Sequence, residues 1–283
     1  MTTKEATPVT KPQTALGGAE RVPNNGPAIL IDRLDFAYPG RDKALDAVYM
    51  EVPPGLCLAL VGPNGSGKST LLMHLAGLLP SPKVHVMGHH AGSKSGRRAI
   101  SRLTGLLFQD PDDQLFMPTV LEDVAFGPLH RDMTPQQAKI RAEQALEEVG
   151  LAHLATLPPH HLSGGEKRLV ALAAVLACEP SILLLDEPTA NLDPGSRKRF
   201  LELLHVQKGK GATILTATHD LDMAFDAFEQ VAVLHQGSIH AQGPAKPVLS
   251  DETLMARVGL EVCLSARLHL IQNRNTFEQE KDR

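Results

Sequence analysis

Three features of the sequence predict an α/β fold built on a largely parallel sheet. Short, wholly apolar runs recur along the chain, and helical patterns separate most of them. One run, LCLALV (56–61), leads without a break into GPNGSGKS. Runs of this length bounded by glycine fit strands covered on both faces, and strands alternating with helices belong to layered α/β sheets. The composition is that of an ordinary globular chain, with 283 residues, 42% apolar and 21% charged, which excludes wholesale disorder and collagen-like repeats. That length fits one large domain or two ordinary ones. A net charge of −4, from 28 Lys and Arg against 32 Asp and Glu, advertises no basic surface for nucleic acid. The longest apolar run (169–178) has ten residues, against the ~20 of a membrane-spanning helix, so the chain is not expected to cross a bilayer unaided.

Residues 1–27 read as a flexible polar tail, because Thr, Pro, Asn and Gly dominate and no apolar secretory core is present. A cytosolic location is the default. Leu34, Phe36 and Tyr38, then Val48, Met50 and Val52, follow period 2, predicting two half-exposed strands parted by Pro39-Gly40. After the LCLALV strand, Leu71, Leu72, Leu75 and Ala76 fall at helical spacing from Lys68. Further buried strands are expected at LTGLLF (103–108), SILLL (181–185), ATILTAT (212–218) and QVAVLH (230–235).

The segment from about 110 to 161 lacks a convincing buried strand and reads as a helical insertion. Within it Thr134 caps a helix with Pro135 at its first position; Ala138, Ala142, Ala145, Leu146 and Val149 form its apolar face, and Gly150 ends it. Asp193-Pro194 opens another helix in the same way. After Gly243 a helical extension follows, with Ser250 expected as N-cap and Asp251 and Glu252 in the first turn; residues 272–283 are expected to fray. Cys57, Cys178 and Cys263 are odd in number and lack CxxC spacing, so they read as reduced core thiols.

Gly62-Pro63-Asn64-Gly65-Ser66-Gly67-Lys68-Ser69 matches GxxxxGK[ST] between a strand and a helix. Its glycines let the backbone turn tightly enough to aim several N–H groups at one anion, and the helix adds its positive end. Lys68 is the expected contact to the β- and γ-phosphates, and Ser69 supplies an oxygen to Mg²⁺. ILLLDEP places Asp186 and Glu187 at a strand's C-terminal end, where ligands of open parallel sheets bind. There Asp186 would hold the metal shell and Glu187 would polarise an attacking water. Gln109 and His219 follow two further strands and are expected on the same rim.

HLSGGEKR (161–168) resembles the LSGGQ signature of ABC ATPases; Ser163 stands 95 residues after Lys68 and 23 before Asp186, in that family's order. Asn191-Leu192-Asp193 is similar to the D-loop, Gln109 to the Q-loop glutamine, His219 to the switch histidine and Tyr38 to the A-loop aromatic. The match spans roughly 28 to 243. It implies an ABC-type P-loop nucleotide-binding domain with a helical signature subdomain and a small antiparallel β subdomain; residues 244–283 form a C-terminal extension and tail. FQDPDDQLFMPTVLEDVAFGP (108–128) is similar to the ATPase components of energy-coupling-factor importers, which take up cobalt, nickel and vitamins. Three departures stand out: Leu169 where the family usually has Arg, which puts a polar role there in doubt, Asn191 in the D-loop, and a short SPKVHVMGHHAG hairpin region.

The resemblance implies an ATPase working with Mg²⁺ and ATP. Tyr38, residues 62–69 and Thr70 would bind the nucleotide; Ser69, Asp186 and Gln109 would serve the metal; Glu187, His219 and Gln109 would serve hydrolysis. Two subunits, identical or related, would pair head to tail, so that Ser163, Gly164, Gly165 and Glu166 close over the partner's ATP beside Asp193. Integral membrane subunits would carry the solute, with this chain peripheral at the cytoplasmic face. Leu115, Phe116, Met117, Val120, Leu121 and Phe126 are candidates both for docking those subunits and for the insertion's own core. The expected cargo is divalent cobalt or nickel; a vitamin importer or a soluble non-transport ABC ATPase is the alternative. The 95-residue spacing leaves no room for the long coiled coil of a DNA-repair ATPase, one nucleotide domain is too few for a translation factor, and a P-loop kinase needs no LSGG. His85, His89 and His90, like His160 and His161, lack helical ligand spacing and read as solvated or locally bonded rather than metal-binding.

Overall fold

The computed structural model describes residues 26–281, and side chains through residue 272. The expected tail therefore lies almost wholly outside the described residues. The chain opens with two long antiparallel strands, β1 (Ile29–Ala37) and β2 (Lys43–Val52), joined through the Pro39-Gly40 turn. Leu45, Val48, Met50 and Val52 are buried along β2. In β1 the inward set shifts from Ile29 and Ile31 to Leu34, where Arg33 adopts a left-handed φ of 50° and the register slips. A bulge moves side chains to the other face, which the uniform period 2 did not register.

β3 (Cys57–Val61) enters the phosphate loop, α1 (Lys68–Leu75) leaves it, and the short hairpin β4 (Val84–Val86) and β5 (His89–His90) follows. α2 (Lys94–Leu103) is capped by Ser93, whose hydroxyl accepts from the Gly96 amide. It consumes the first residue of the LTGLLF run, so β6 is Thr104–Leu107. α3 (Val120–Leu129) and α4 (Pro135–Glu148) make up the insertion with three single-turn 3₁₀ segments. Thr134 caps α4 as expected and forms a reciprocal box with Gln137.

α5 (Gly164–Leu176) then leads into β7 (Ile182–Asp186), α6 (Pro194–Gly209), β8 (Thr213–Thr218), α7 (Leu221–Ala227), β9 (Gln230–His235) and β10 (Ser238–Pro244). α8 (Ala245–Leu249), α9 (Glu252–Arg257) and α10 (Leu264–Lys281) complete the chain. The N-cap of α9 is Asp251, which accepts from the Leu254 amide, while Ser250 is the C-cap of α8. The expected Ser250 cap is thus displaced by one residue, because the five-residue α8 already occupies the preceding turn. α10 continues past residue 272, where fraying was expected, with no glycine or proline to end it.

The main sheet has the order β10-β9-β3-β8-β7-β6, with β3, β6, β7, β8 and β9 parallel and β10 antiparallel to β9. The second sheet has the order β2-β1-β4-β5, all antiparallel. Successive residues of each central strand enter opposite cores. Ala59, Val61, Leu183, Leu185 and Ile214 pack with the α3–α7 layer; Leu58, Leu60, Ile182, Leu184 and Leu215 pack against α1 and the antiparallel sheet. Burial on both faces explains why these strands are apolar throughout.

Candidate nucleotide site

The phosphate loop is wedged between other backbones. A Cβ at Gly62 would stand 2.0 Å from the Leu234 carbonyl oxygen; one at Gly67, where φ is +107°, would stand 2.5 Å from that of Ala44. Only glycine permits that approach. Lys68 is buried, and its ammonium donates to the Gly62 and Pro63 carbonyls at 2.9 and 3.1 Å. Burial pulls its pKa down, partly countered by Glu187 and Asp186. Tyr38 lies half-buried at the loop's edge, its hydroxyl 3.4 Å from Thr70 Oγ1 and its ring edge-on to Phe36 at 4.9 Å.

Strand ends bring the acids to this loop. Asp186 closes β7, is 8% exposed, and burial pushes its pKa up despite a hydrogen bond with Ser69. Its Oδ1 is buried without a partner. Glu187 follows in a left-handed conformation (φ 44°), with its amide donating to the Ala217 carbonyl at 2.9 Å. Its Oε2 lies 2.9 Å from His219 Nδ1 and 3.3 Å from both Thr218 Oγ1 and the His219 amide nitrogen. His219 is exposed; Glu187 is not. Asn64, Gly65, Gly67, Lys68, Ser69, Thr70, Gln109, Asp186, Glu187 and His219 share one cleft of about 380 Å³.

The Ser69 hydroxyl and the unpartnered Asp186 oxygen are hard donors side by side, with the Gln109 amide on the same cleft. That set fits Mg²⁺, which takes few protein oxygens and keeps water and phosphate for the rest.

The signature and D-loop residues are elsewhere. Among the described residues none of Ser163, Gly164, Gly165 and Glu166 lines that cleft. Gly164 instead faces a second cleft of about 490 Å³, with Gln109, Lys167, Arg168, Asn191 and Leu192 on its walls. Ser163 caps α5, accepting from the Glu166 amide at 3.4 Å. Its own amide and hydroxyl donate to Glu166 Oε2 at 2.8 and 2.7 Å, which lowers the pKa of that carboxyl. Asp193 caps α6 by accepting from the amides of Gly195 and Ser196, and Asn191 takes a φ of 61° just before it.

Three residues were missed by reading the sequence. Arg168 is 4% exposed and donates to the carbonyls of Phe108 and Gln109. Leu169, where the polar role was in doubt, is a buried core residue; its neighbour carries the guanidinium. Gln114 bridges the Phe108 amide and the Ala171 carbonyl. Asp123, buried in α3 with its pKa raised by burial, accepts from the amides of Phe116 and Met117 at 2.9 and 3.0 Å. A charge among the apolar positions of α3 was the signal for Asp123; nothing separated Arg168 from ordinary surface arginines.

The apolar set after Gln109 divides. Leu115 and Val120 are buried, whereas Phe116 is 64% exposed and packs edge-on to the half-buried Phe126 at 5.0 Å. The His85 and His90 rings lie tilted to each other with centroids 5.1 Å apart, and His90 Nε2 is 3.0 Å from the Pro82 carbonyl; among the described residues no group of three His, Cys, Asp or Glu could hold a metal. No described helix is long and apolar enough to cross a membrane.

Residues 45–190 match the ABC transporter family. The chain is similar to the cobalt import ATP-binding protein CbiO of Rhodobacter capsulatus, with 42% identity over 88% of this chain and 90% of that one. It is also similar to the energy-coupling factor transporter ATP-binding protein EcfA of Carboxydothermus hydrogenoformans, with 41% identity over 85% and 89%. Among solved structures, CbiO1 of Clostridium perfringens, described as part of the ABC transporter complex cbiONQ, aligns with a TM-score of 0.72 at 34% identity, covering 88% of this chain and all of that one. The ATP-binding cassette MJ0796, solved as a dimer in a post-hydrolysis state bound to ADP and Pi, aligns at 0.69 with 27% identity, covering 77% and 98%. The chain belongs to the ABC transporter ATPases, as an ATP-binding subunit of the energy-coupling-factor type.

Proposed function

We propose that the chain powers an importer by hydrolysing ATP in a site made from two subunits arranged head to tail. The observation that carries this reading is the separation of the two halves: the lysine, hydroxyl and acids share one cleft, while the signature donors lie outside it. A signature that does not line its own nucleotide cleft is suited to serve another chain's. The dimeric cassette bound to ADP and Pi is similar in fold.

In this reading residues 62–69 and Thr70 cradle the triphosphate, Lys68 exchanging its carbonyl partners for β- and γ-phosphate oxygens, and Tyr38 stacks on the base. Ser69, Asp186 and Gln109 would hold Mg²⁺, which would draw off charge developing on the phosphates. Glu187 accepts a proton from the attacking water, and His219, already paired with Glu187, turns toward the γ-phosphate. Ser163, Gly164 and Gly165 present donors to the partner's γ-phosphate, with Glu166 and Asp193 bordering that contact. ATP favours the closed pair and ADP the open one, and that difference is what can do work on membrane subunits docked near Phe116. Such docking would hold the chain at the cytoplasmic face. Cobalt or nickel is the proposed cargo, the name of the similar Rhodobacter protein supporting cobalt; cargo choice would reside in the membrane components.

Dilution tests the composite site. Phosphate release by the purified chain should rise with the square of its concentration when the pair is dissociated. Glu187→Gln should retain Mg-ATP binding and lose about 10²-fold or more in turnover. A constant rate per copy on dilution refutes the shared site, and undiminished turnover in Glu187→Gln refutes the base.

A further inference from the structure

Tyr38, proposed above to stack on the base, follows β1 directly, and its side chain is held from two directions. Its hydroxyl lies 3.4 Å from Thr70 Oγ1 and 3.9 Å from Met73 Sδ. Its ring stands nearly perpendicular to that of Phe36, with centroids 4.9 Å apart and planes at 86°. Phe36 in turn stands nearly perpendicular to His74, at 4.7 Å and 82°. Thr70, Met73 and His74 all belong to α1, the helix that begins with Lys68 and Ser69. The contacts therefore close a circuit from α1 through His74 and Phe36 to Tyr38, and back to α1 at Thr70 and Met73. A single helix carries the phosphate contacts at its start and the support of the base platform along its side.

His74 is the fixed end of this circuit. It is wholly buried, with Nδ1 3.2 Å from the Leu79 carbonyl. A carbonyl oxygen only accepts, so Nδ1 carries the hydrogen. Burial lowers the pKa and leaves the ring neutral at pH 7; Nε2 is then a bare acceptor, buried with no partner among the described residues. Residues 77–79 fold back over the same end of α1. The Gly77 amide donates to the His74 carbonyl at 3.1 Å, and the Leu78 and Leu79 amides donate to the Met73 carbonyl at 3.0 and 3.3 Å. A leucine could occupy this apolar position without stranding a nitrogen. What the imidazole adds is a flat ring, locked by its bond to Leu79, against which Phe36 adopts the edge-to-face arrangement that aromatic quadrupoles favour.

We infer that Phe36 and His74 are positioning residues for nucleotide binding: they set the plane of the Tyr38 ring relative to the phosphate loop, so that one ligand meets both. A ring already held in its stacking orientation loses less freedom when the base arrives. This rests on the reading that Tyr38 stacks on the base, and adds the side chains that prepare it to do so. Among the described residues that line the phosphate cleft, neither Phe36 nor His74 is present. Their influence on binding is therefore confined to the base.

Calorimetric titration of the full chain with Mg-ATP, and with Mg-tripolyphosphate, which has the phosphates but no base, separates the two ends of the ligand. Tyr38→Ala should weaken ATP about tenfold or more and leave tripolyphosphate within about twofold. Phe36→Leu and His74→Leu should each weaken ATP about three- to fivefold, again sparing tripolyphosphate. In steady state the same two variants should raise KM with kcat held within about twofold. Phe36→Tyr keeps the ring and should bind ATP within about twofold of wild type. Added to Tyr38→Ala, Phe36→Leu should weaken ATP no further, because the ring it supports is gone. Phe36 is only half-buried, so its variants carry the test if His74→Leu does not fold. Wild-type ATP affinity in the Phe36 and His74 variants overturns the inference. So does a weakening shared equally by ATP and tripolyphosphate, or a further loss when Phe36→Leu joins Tyr38→Ala. Undiminished ATP affinity in Tyr38→Ala would instead refute the stacking itself; a weakened Tyr38→Ala beside indifferent Phe36 and His74 variants refutes the support alone.

Discussion

The Asp186 carboxyl illustrates how a single side chain can be set against the stability of its fold. Burial raises its pKa above the ordinary 3.8, outweighing the Ser69 hydrogen bond and the nearby Lys68. A raised native pKa means the native state binds the proton more tightly than the unfolded chain. The stabilising contribution is then complete below pH 3.8 and disappears as pH climbs through the raised value. Deprotonation therefore destabilises the nucleotide-free protein, a cost that a bound cation would relieve. Asp186→Asn should accordingly raise the nucleotide-free melting temperature at pH 7, with the gain shrinking on acidification. The same variant should lose the extra thermal protection that Mg²⁺ adds to ATP. Thermal melts across pH, with and without Mg-ATP, check both outcomes. A carboxylate at a buried strand end was readable from ILLLDEP. Arg168 was not, because its value depends on meeting the Phe108 and Gln109 carbonyls 60 and 59 positions away, and no local pattern encodes such a meeting.

Elements with self-contained signals were legible at close to residue precision. Thr134-Pro135 announced α4 through a cap, a proline and three-to-four spacing, all of which are local. Thr134→Ala removes that cap and the hydroxyl's own bond to Gln137 Oε1, leaves the backbone amide's bond to Gln137, and should cost ~1 kcal/mol. For a chain of this size that corresponds to a melting shift of about 2–4 °C, with ATP turnover per folded molecule unaltered; calorimetry beside a phosphate-release assay separates the two. Ser250 was misassigned for the opposite reason. Ser250 and Asp251 are both good caps, and the choice between them was made by α8, whose burial of Ala245 and Leu249 against the main core fixes where the turn ends. The bulge at Arg33 was likewise hidden, since a register slip is set by the partner strand β2.

At the scale of the whole molecule, the two layers on either side of the main sheet keep separate tasks. One carries the phosphate loop and antiparallel strands, the other the signature helix and insertion. Gln109 and the exposed Phe116 lie on the single stretch that joins β6 to α3. The fold's layers could be foreseen from apolar runs; the proposed completion of the site by a second copy rests on the family resemblance, since half a pocket leaves no mark in one chain's hydropathy.

The reciprocal cap at the start of α5 has a consequence for how two copies meet. The Ser163 hydroxyl and amide are already engaged by the Glu166 carboxylate. In the proposed head-to-tail pair, an arriving γ-phosphate would have to displace that carboxylate before taking its seat, and the two anions would repel each other on the way in. Pairing would then be held back by an internal competitor that pairing itself has to dislodge. Neutralising it should loosen the restraint: Glu166→Gln is expected to shift ATP-induced dimers to lower protein concentration and to weaken the salt dependence of their formation, measured by light scattering. An unshifted midpoint would mean that the cap yields at no cost.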